Sequence, residues 1–388
     1  MAARPYVLDA RTATGHFPGI GRYTANLARA LEPLLIGDER LLLLRDPTAP
    51  SPWDLGRAPA LDLPLSPFSL RQQWAVPRAL RQSYQGRLLR RLDAAVYHSP
   101  YYLMPYWPGC PTLLTVHDLI PLLLPRHSTA RARLLFRWTM GLALRAARRV
   151  IAVSAATRDD LLAQFRLPAG RVTVVPEAAD PAFYPRPPAE IATIRRQHAL
   201  PERYVLYLGS NKPHKNLARL VEAWATHHVL RFTSASRTTH HETEKLLIAG
   251  QWDPRFPEAR RRVEELGLAD EALFLGPLAD EDLPALYSGA TVFVFPSLYE
   301  GFGLPVLEAL ACGVPVACAD GSALPEIVGD AALRFDPTDT AAIAAALRRL
   351  LTDAELRADL RERGLRRASQ FSWERAAQRT LELYREAR

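Results

Sequence analysis

The sequence predicts an α/β protein built as two doubly wound domains, each a mostly parallel sheet with helices on both faces. Three observations predict it. Strand-length apolar runs alternate with helix-length amphipathic runs from Tyr6 to Val175, which is the pattern of a parallel sheet wrapped by helices. A proline-rich stretch, 176–188, then interrupts the alternation, and the pattern restarts at Tyr204. Clustered proline between periodic segments marks a linker. The chain has 388 residues, which suits two domains of roughly 100–200 residues, each able to bury a core.

Taken in order, Tyr6–Ala10 is a short apolar strand, followed by a glycine-rich loop, Gly15 to Gly21. Leu27, Leu31, Leu34 and Leu35 recur at helical spacing and predict a helix over Tyr23–Leu35. Leu41–Arg45 reads as a buried strand and 46–70, rich in Pro and Ser, as a surface loop. A basic helix is expected near 71–92, then strands Ala94–His98 and Thr112–Val116 around the aromatic, proline-rich loop 99–111. A strongly basic helix spans 128–148, followed by strand Val150–Val153, helix Ala155–Phe165 and strand Val172–Val175. In the second half, strands are expected at Tyr204–Leu208, Leu246–Ala249, Leu273–Leu275, Thr291–Phe295 and Val314–Ala317. Helices are expected at Leu217–Ala225, near 256–266, 281–288, 304–311, 324–328 and 340–369, and at 373–387. Residues 226–244, with the pairs His227-His228 and His240-His241, fit neither pattern and read as an exposed insertion.

Composition excludes several classes. Three cysteines, Cys110, Cys312 and Cys318, cannot make a disulfide framework and point to a reducing compartment. No run approaches the roughly 18–20 apolar residues of a membrane span. The N-terminal MAARPYVLDA has no apolar signal-peptide core. The net charge is +8, but residues 1–180 carry 23 basic and 13 acidic residues, so the surplus lies in the first half. Such asymmetry suits nucleic acid, an anionic membrane or a phosphorylated substrate.

Ligands of open α/β sheets bind beyond the carboxyl ends of the strands, so the loops there carry the candidate chemistry. Phe17-Pro18-Gly19-Ile20-Gly21 leads from strand to helix. Its glycines allow close backbone approach, and the helix start offers unpaired N–H groups to an anion. The loop after Leu208, Gly209-Ser210-Asn211-Lys212-Pro213-His214-Lys215, holds two of only three lysines among 49 basic residues. A compact ammonium suits a phosphate as a point charge. The segment Pro296–Glu308 runs from strand through loop to helix, with Glu300, Gly301, Phe302, Gly303 and Leu304 at the turn and Glu308 on an otherwise apolar helix. Amides near 302–304 would face an anion, and a carboxylate at 308 suits paired hydroxyls. His117 closes a strand in the first half and could bind a hydroxyl or move a proton. His98 sits at a similar strand end.

SLYEGFGLPVLEALACGVPVACADGSALPEIVGDAAL, residues 297–333, together with PGIGRYTANL, TVHDLIPLLLP, AVSAATRDDL and FSWERAA, resembles glycosyltransferase family four over essentially the whole chain. The resemblance implies a GT-B fold, two Rossmann-like domains facing across a cleft, with domains at 1–187 plus 373–388 and at 188–372. It implies a retaining transferase using a nucleotide sugar without a metal or other cofactor. Glu308 would bind the donor ribose. Glu300 with the amides of Phe302, Gly303 and Leu304 would hold the donor sugar. Lys215 would neutralise the diphosphate, with Lys212 assisting because Ser210 stands where many members have arginine. His117 would contact the transferred sugar, and Gly19 and Gly21 would line the phosphate side. Catalysis would thus rest on His117, Lys215 and Glu300. The second-half and TVHD segments look most like bacterial mannosyltransferases, so GDP-mannose is the expected donor, with a UDP-sugar as the alternative. The expected acceptor is a glycan or lipid-linked glycan of cell-surface polysaccharide synthesis. The expected location is the cytoplasm, peripheral at the inner face of an anionic membrane. A non-catalytic membrane- or nucleic-acid-binding protein is the rival reading. Nucleic acid is not expected as a partner, because that role leaves Glu300 and Glu308 without a purpose.

Overall fold

The computed structural model describes residues 4–85, 88–233 and 244–388. It divides into two compact units, one running to Glu177 and taking back Ser372–Arg388, the other spanning Ala178–Phe371.

The strands of the first unit are β1 (Tyr6–Asp9), β2 (Leu41–Arg45), β3 (Ala60–Asp62), β4 (Gln82–Gln85), β5 (Leu88–Arg91), β6 (Val96–Ser99), β7 (Thr112–Val116), β8 (Arg149–Ala152) and β9 (Val172–Val174). Seven of them form one sheet in the order β3-β2-β1-β6-β7-β8-β9, with β4 and β5 a separate antiparallel pair. Every pairing in the large sheet is parallel. Side chains along β1 and β7 are buried throughout, as expected for strands covered on both faces.

The second unit holds β10 (Tyr204–Leu208), β11 (Lys245–Ala249), β12 (Ala272–Gly276), β13 (Val292–Phe295), β14 (Val316–Ala319) and β15 (Ala332–Phe335), in the order β12-β11-β10-β13-β14-β15. All its pairings are parallel. In each sheet the chain winds to one side of its first strand and then back to the other. The order therefore reverses between β1 and β6, and between β10 and β13. Loops leaving the carboxyl ends at such a switch point diverge and leave a crevice for a ligand.

Side-chain caps set several helix starts. Ser154 accepts from the Thr157 amide, Asp339 from Ala341 and Ala342, and Ser372 from Arg375. Each satisfies an orphan N–H of a first turn.

The fold departs from expectation at several places, among them β15 and a helix over Pro188–Gln197, neither of which the sequence pattern marks. The first helix is Pro18–Leu31, so Gly19 and Gly21 lie in its first turn rather than in a loop before it. Proline is at home in a first turn because its missing N–H is not needed there. The basic helix stops at Arg81, and β4 and β5 follow. β3, inside the expected loop, is an edge strand whose backbone pairs with β2 without an apolar pattern. The helix expected over 340–369 is two, Thr340–Thr352 and Ala354–Ala368, because Asp353 leaves helical geometry and caps Leu356. The helix from Leu217 continues to Thr233, with His227 buried beside Trp224 at 5.4 Å between rings. His227 is thus a packed side chain and not part of an exposed insertion, whereas His240 and His241 lie outside the described residues. The connector also splits. Glu177 belongs to the first unit, and 178–187 belong to the second, ten residues earlier than the boundary expected at 187. The reason is packing: Phe183 lies in the second core, 5.8 Å from the Tyr287 ring, and the Arg186 amide donates to Ser288.

Candidate functional site

The second unit concentrates its polar chemistry at the β10/β13 switch point. β10 ends at Leu208, and the amide of the next residue, Gly209, donates to the Ala249 carbonyl at 3.0 Å. A side chain on Gly250, at φ +118, would fall 2.3 Å from the Gly209 oxygen. The turns after β10 and β11 therefore pack backbone on backbone, which only glycine permits. Asn211 holds the next turn by donating to the Asp253 and Phe256 carbonyls and accepting from the Asp253 amide. A short turn, Pro213–Lys215, ends at Asn216 in the left-handed region, and the Asn216 amide group donates to the carbonyls of Pro296 and Pro337. From the other side the Leu298 amide donates to the His214 carbonyl at 2.8 Å. The loops after β10 and β13 are stitched together by these bonds.

Across that seam Lys215 Nζ meets Glu300 Oε1 at 2.6 Å, with side chains 15% and 11% exposed. The ammonium also lies 5.3 Å from the Phe295 ring centre. The Glu300 amide donates to Ser322 Oγ at 2.9 Å. Gly303, at φ +108, starts the helix Leu304–Ala311, and no side chain caps the first turn. The first-turn amides and the positive end of the helix dipole therefore belong to the same loop as Glu300. Phe302 is buried, 6.0 Å from the Phe371 ring. Glu308 is buried further along the helix and accepts from Tyr287 Oη at 3.0 Å. Ser297 Oγ is buried with no hydrogen-bond partner among the described residues. Sequence reading passed over Ser297, Tyr287 and Ser322; an orphaned buried hydroxyl is visible only in three dimensions. Lys212 is exposed and stands outside the Lys215–Glu300 pair. Ser210 contributes its carbonyl to Tyr207 Oη at 2.8 Å.

In the first unit, the turn after β1 is anchored by a buried ion pair. Arg11 Nη2 donates to Asp9 at 2.6 Å and to Gln72 at 3.2 Å, and Tyr97 Oη donates to Asp9 at 2.5 Å. Thr12 Oγ1, just beyond, is buried without a partner among the described residues. Gly21 is buried where a Cβ would strike the Trp53 ring, whereas a Cβ on Gly19 would meet nothing within 4 Å. His117, after β7, places Nδ1 2.8 Å from Glu177 Oε1, and its ring stands edge-on to Tyr23 at 4.8 Å. Its Nε2 is buried and lacks a partner among the described residues. With Glu177 accepting from Nδ1–H, Nε2 offers a lone pair in the neutral ring and an N–H in the cation. Glu177 lies in the proline-rich connector, where nothing in the sequence ties it to His117.

His98 is a different case. Its ring bonds Tyr384 Oη and Thr115 Oγ1, each at 2.8 Å, and Thr115 also bonds Tyr23. Burial pushes its pKa down to about 3. Both nitrogens are spent tying the last helix to the sheet, so His98 is structural. The sequence also holds an Asp-x-Asp triplet, Asp280-Glu281-Asp282, a spacing that can hold a divalent ion. Asp282 accepts from His198 Nε2 at 2.9 Å and from Gln197 at 3.3 Å, so it joins two helices of its own unit.

The geometry meets independent comparison here. Residues 190–367 match the model for glycosyl transferases group 1, and residues 18–183 that for Glycosyltransferase Family 4. The chain is 34% identical over 313 residues to O-antigen chain mannosyltransferase B of Escherichia coli, covering 79% of this chain and 78% of that one. The chain belongs to glycosyltransferase family four. This family-four glycosyltransferase is also 28% identical to the serotype-specific mannosyltransferase WbdA of E. coli, over 70% of its own length and 33% of that longer protein. Its fold matches HepE from Anabaena, solved with UDP and glucose, at a TM-score of 0.73 and 20% identity over 98% and 99% of the two chains. Family-four membership makes it an enzyme of the GT-B fold. Among its described residues, no helix is long and apolar enough to cross a membrane.

Proposed function

We propose that this enzyme is a retaining mannosyltransferase that moves mannose from GDP-mannose to a glycan or lipid-linked glycan in cell-surface polysaccharide synthesis. The observation that carries the proposal is the Lys215–Glu300 pair beside the uncapped start of the helix Leu304–Ala311, at the β10/β13 switch point. The names of the E. coli relatives, O-antigen chain mannosyltransferase B and WbdA, support mannose as the sugar.

In this reading Glu308 accepts hydrogen bonds from the donor ribose. Lys215 and Lys212 stabilise the negative charge that grows on the departing diphosphate, with the amides of Gly303 and Leu304 assisting. Fixed donors aimed at developing charge are usually the largest single catalytic effect. Glu300, already within 2.6 Å of Lys215, orients that ammonium and takes up sugar hydroxyls, beside Phe302 and Ser210. His117, positioned by Glu177, contacts the transferred sugar and Gly19 leaves room for phosphate, whereas Gly21 does not serve that role, because the space beside it is filled by the Trp53 ring. The leaving phosphate serves as base for same-face attack by the acceptor, without a metal. We place the enzyme in the cytoplasm, peripheral at an anionic membrane. A UDP-sugar donor is the second reading, favoured by the fold shared with HepE in its complex with UDP and glucose.

Thermal unfolding with each nucleotide sugar tests the donor, because a ligand bound only to the native state raises Tm by mass action. GDP-mannose should raise Tm and UDP-glucose should not, with turnover following the same order. Lys215→Ala should lose roughly a hundredfold or more in kcat, as for removal of one oxyanion-type donor. A larger Tm rise with a UDP-sugar would overturn the donor assignment.

A further inference from the structure

We propose that the outward face of the helix Ala130–Ala146 docks the first unit onto an anionic lipid bilayer. The proposal deepens the reading of a lipid-linked acceptor and rests on it only for the reason to be at a membrane.

Among the described residues, ten large apolar side chains are left exposed, and eight of them belong to the first unit. Three lie on this one helix: Leu134 is 70% exposed, Leu135 60% and Trp138 63%. The inner face of the helix, including Phe136, Met140 and Leu144, is already packed into the core. The fold therefore accounts for one apolar face and leaves the second in water. With half-buried Leu142, the outer residues stand at i, i+1, i+4 and i+8, which puts them on one stripe. The stripe borders a groove lined by Leu134, Trp138, Leu142, Phe165, Arg137 and Arg145.

Charge names the occupant. Residues 119–158 contain eight arginines and no aspartate or glutamate. Arg131, Arg137 and Arg145 are exposed beside the apolar stripe. A guanidinium engages a lipid phosphate with paired hydrogen bonds while its stem lies along apolar surface. Tryptophan favours the same interfacial depth. A face that combines apolar insertion with cationic attraction binds in the plane of a bilayer. Nucleic acid would use the arginines but leave Leu134 and Leu135 in water. A second copy of this face would set arginine against arginine.

The test is flotation of the full-length protein with vesicles of phosphatidylcholine alone and of phosphatidylcholine mixed with phosphatidylglycerol. Binding is expected to the mixed vesicles and to fall as salt shortens the screening length. The variant L134S/L135S/W138S should partition roughly tenfold less or weaker, with an unchanged Tm because the three side chains are exposed. R131S/R145S should lose the preference for anionic vesicles. Equal binding by parent and variants, no binding by the parent, displacement by short duplex DNA, or a dimer that the triple variant abolishes would each overturn the proposal. Turnover retained without vesicle binding would remove this surface and leave the transferase reading standing. Vesicle binding without turnover on any donor would do the reverse.

Discussion

Lys215 and Glu300 lie 85 residues apart in sequence and meet at 2.6 Å because β10 and β13 are neighbours at a switch point. Both are largely buried, so removing one leaves the other charge uncompensated, and the survivor is held ready for a ligand of opposite sign. His98 shows how a histidine at a similar strand end can be spent on structure. Its pKa is about 3 in the fold and near 6.5 when unfolded. The unfolded chain therefore takes up the proton first, and stability falls as pH drops below about 6.5 until about 3. By pH 5 the loss from this residue should be about 2 kcal/mol. Thermal unfolding from pH 7 to pH 4 should show that acid limb in the parent and a flatter one in His98→Gln. Parallel profiles would place the acid sensitivity elsewhere.

At the scale of elements, two glycines with one proposed role differ in what the chain demands of them. Gly303 sits at φ +108, and a Cβ there would lie 2.6 Å from the Leu324 side chain, itself fully buried. Gly303→Ala should cost about 1–3 kcal/mol, the range for strain at a positive φ, and should abolish the Tm rise with the donor. Gly19→Ala meets nothing within 4 Å, so its Tm should stay within about 0.5 kcal/mol equivalent of the parent while donor affinity falls. Loss of stability in Gly19→Ala, or none in Gly303→Ala, would contradict this assignment. Element boundaries were the least legible part of the sequence. Pro18 reads as a loop residue and opens a helix. Asp353 sits inside a continuous helical pattern and divides it, because its side chain bonds the amide three residues on. Such choices are decided by a single hydrogen bond, which periodicity does not register.

For the whole molecule, the surplus charge follows the division into units. The first unit carries 27 basic and 15 acidic residues, a net of +12, and the second 22 and 26, a net of −4. The returning helix Trp373–Ala387 belongs to the basic unit, where Arg385 pairs with Glu39 at 2.8 Å and holds that carboxyl down at about 2. The three cysteines are free, and burial pushes Cys312 and Cys318 up to about 12 and Cys110 up to about 11. Thiolate is the reactive form, so a thiol reagent at pH 8 should leave the two buried residues untouched in the native protein. All three should react in denaturant. Fewer than three thiols on unfolding would indicate a disulfide.

The sequence by itself determined the two-unit α/β plan and the family, and it named the loops proposed to carry chemistry. Apolar period, linker composition and a contiguous run such as 297–333 are all local properties of a chain. Tertiary structure alone decided which of those loops meet. It paired Lys215 with Glu300 and Tyr287 with Glu308, set Glu177 of the connector against His117, and consigned His98 and His227 to packing. It also exposed Leu134, Leu135 and Trp138 on a helix whose other apolar face was already in use. Partners distant in sequence are selected by strand order and by what remains to be buried after the sheet forms. Neither is written in the spacing of residues along one segment.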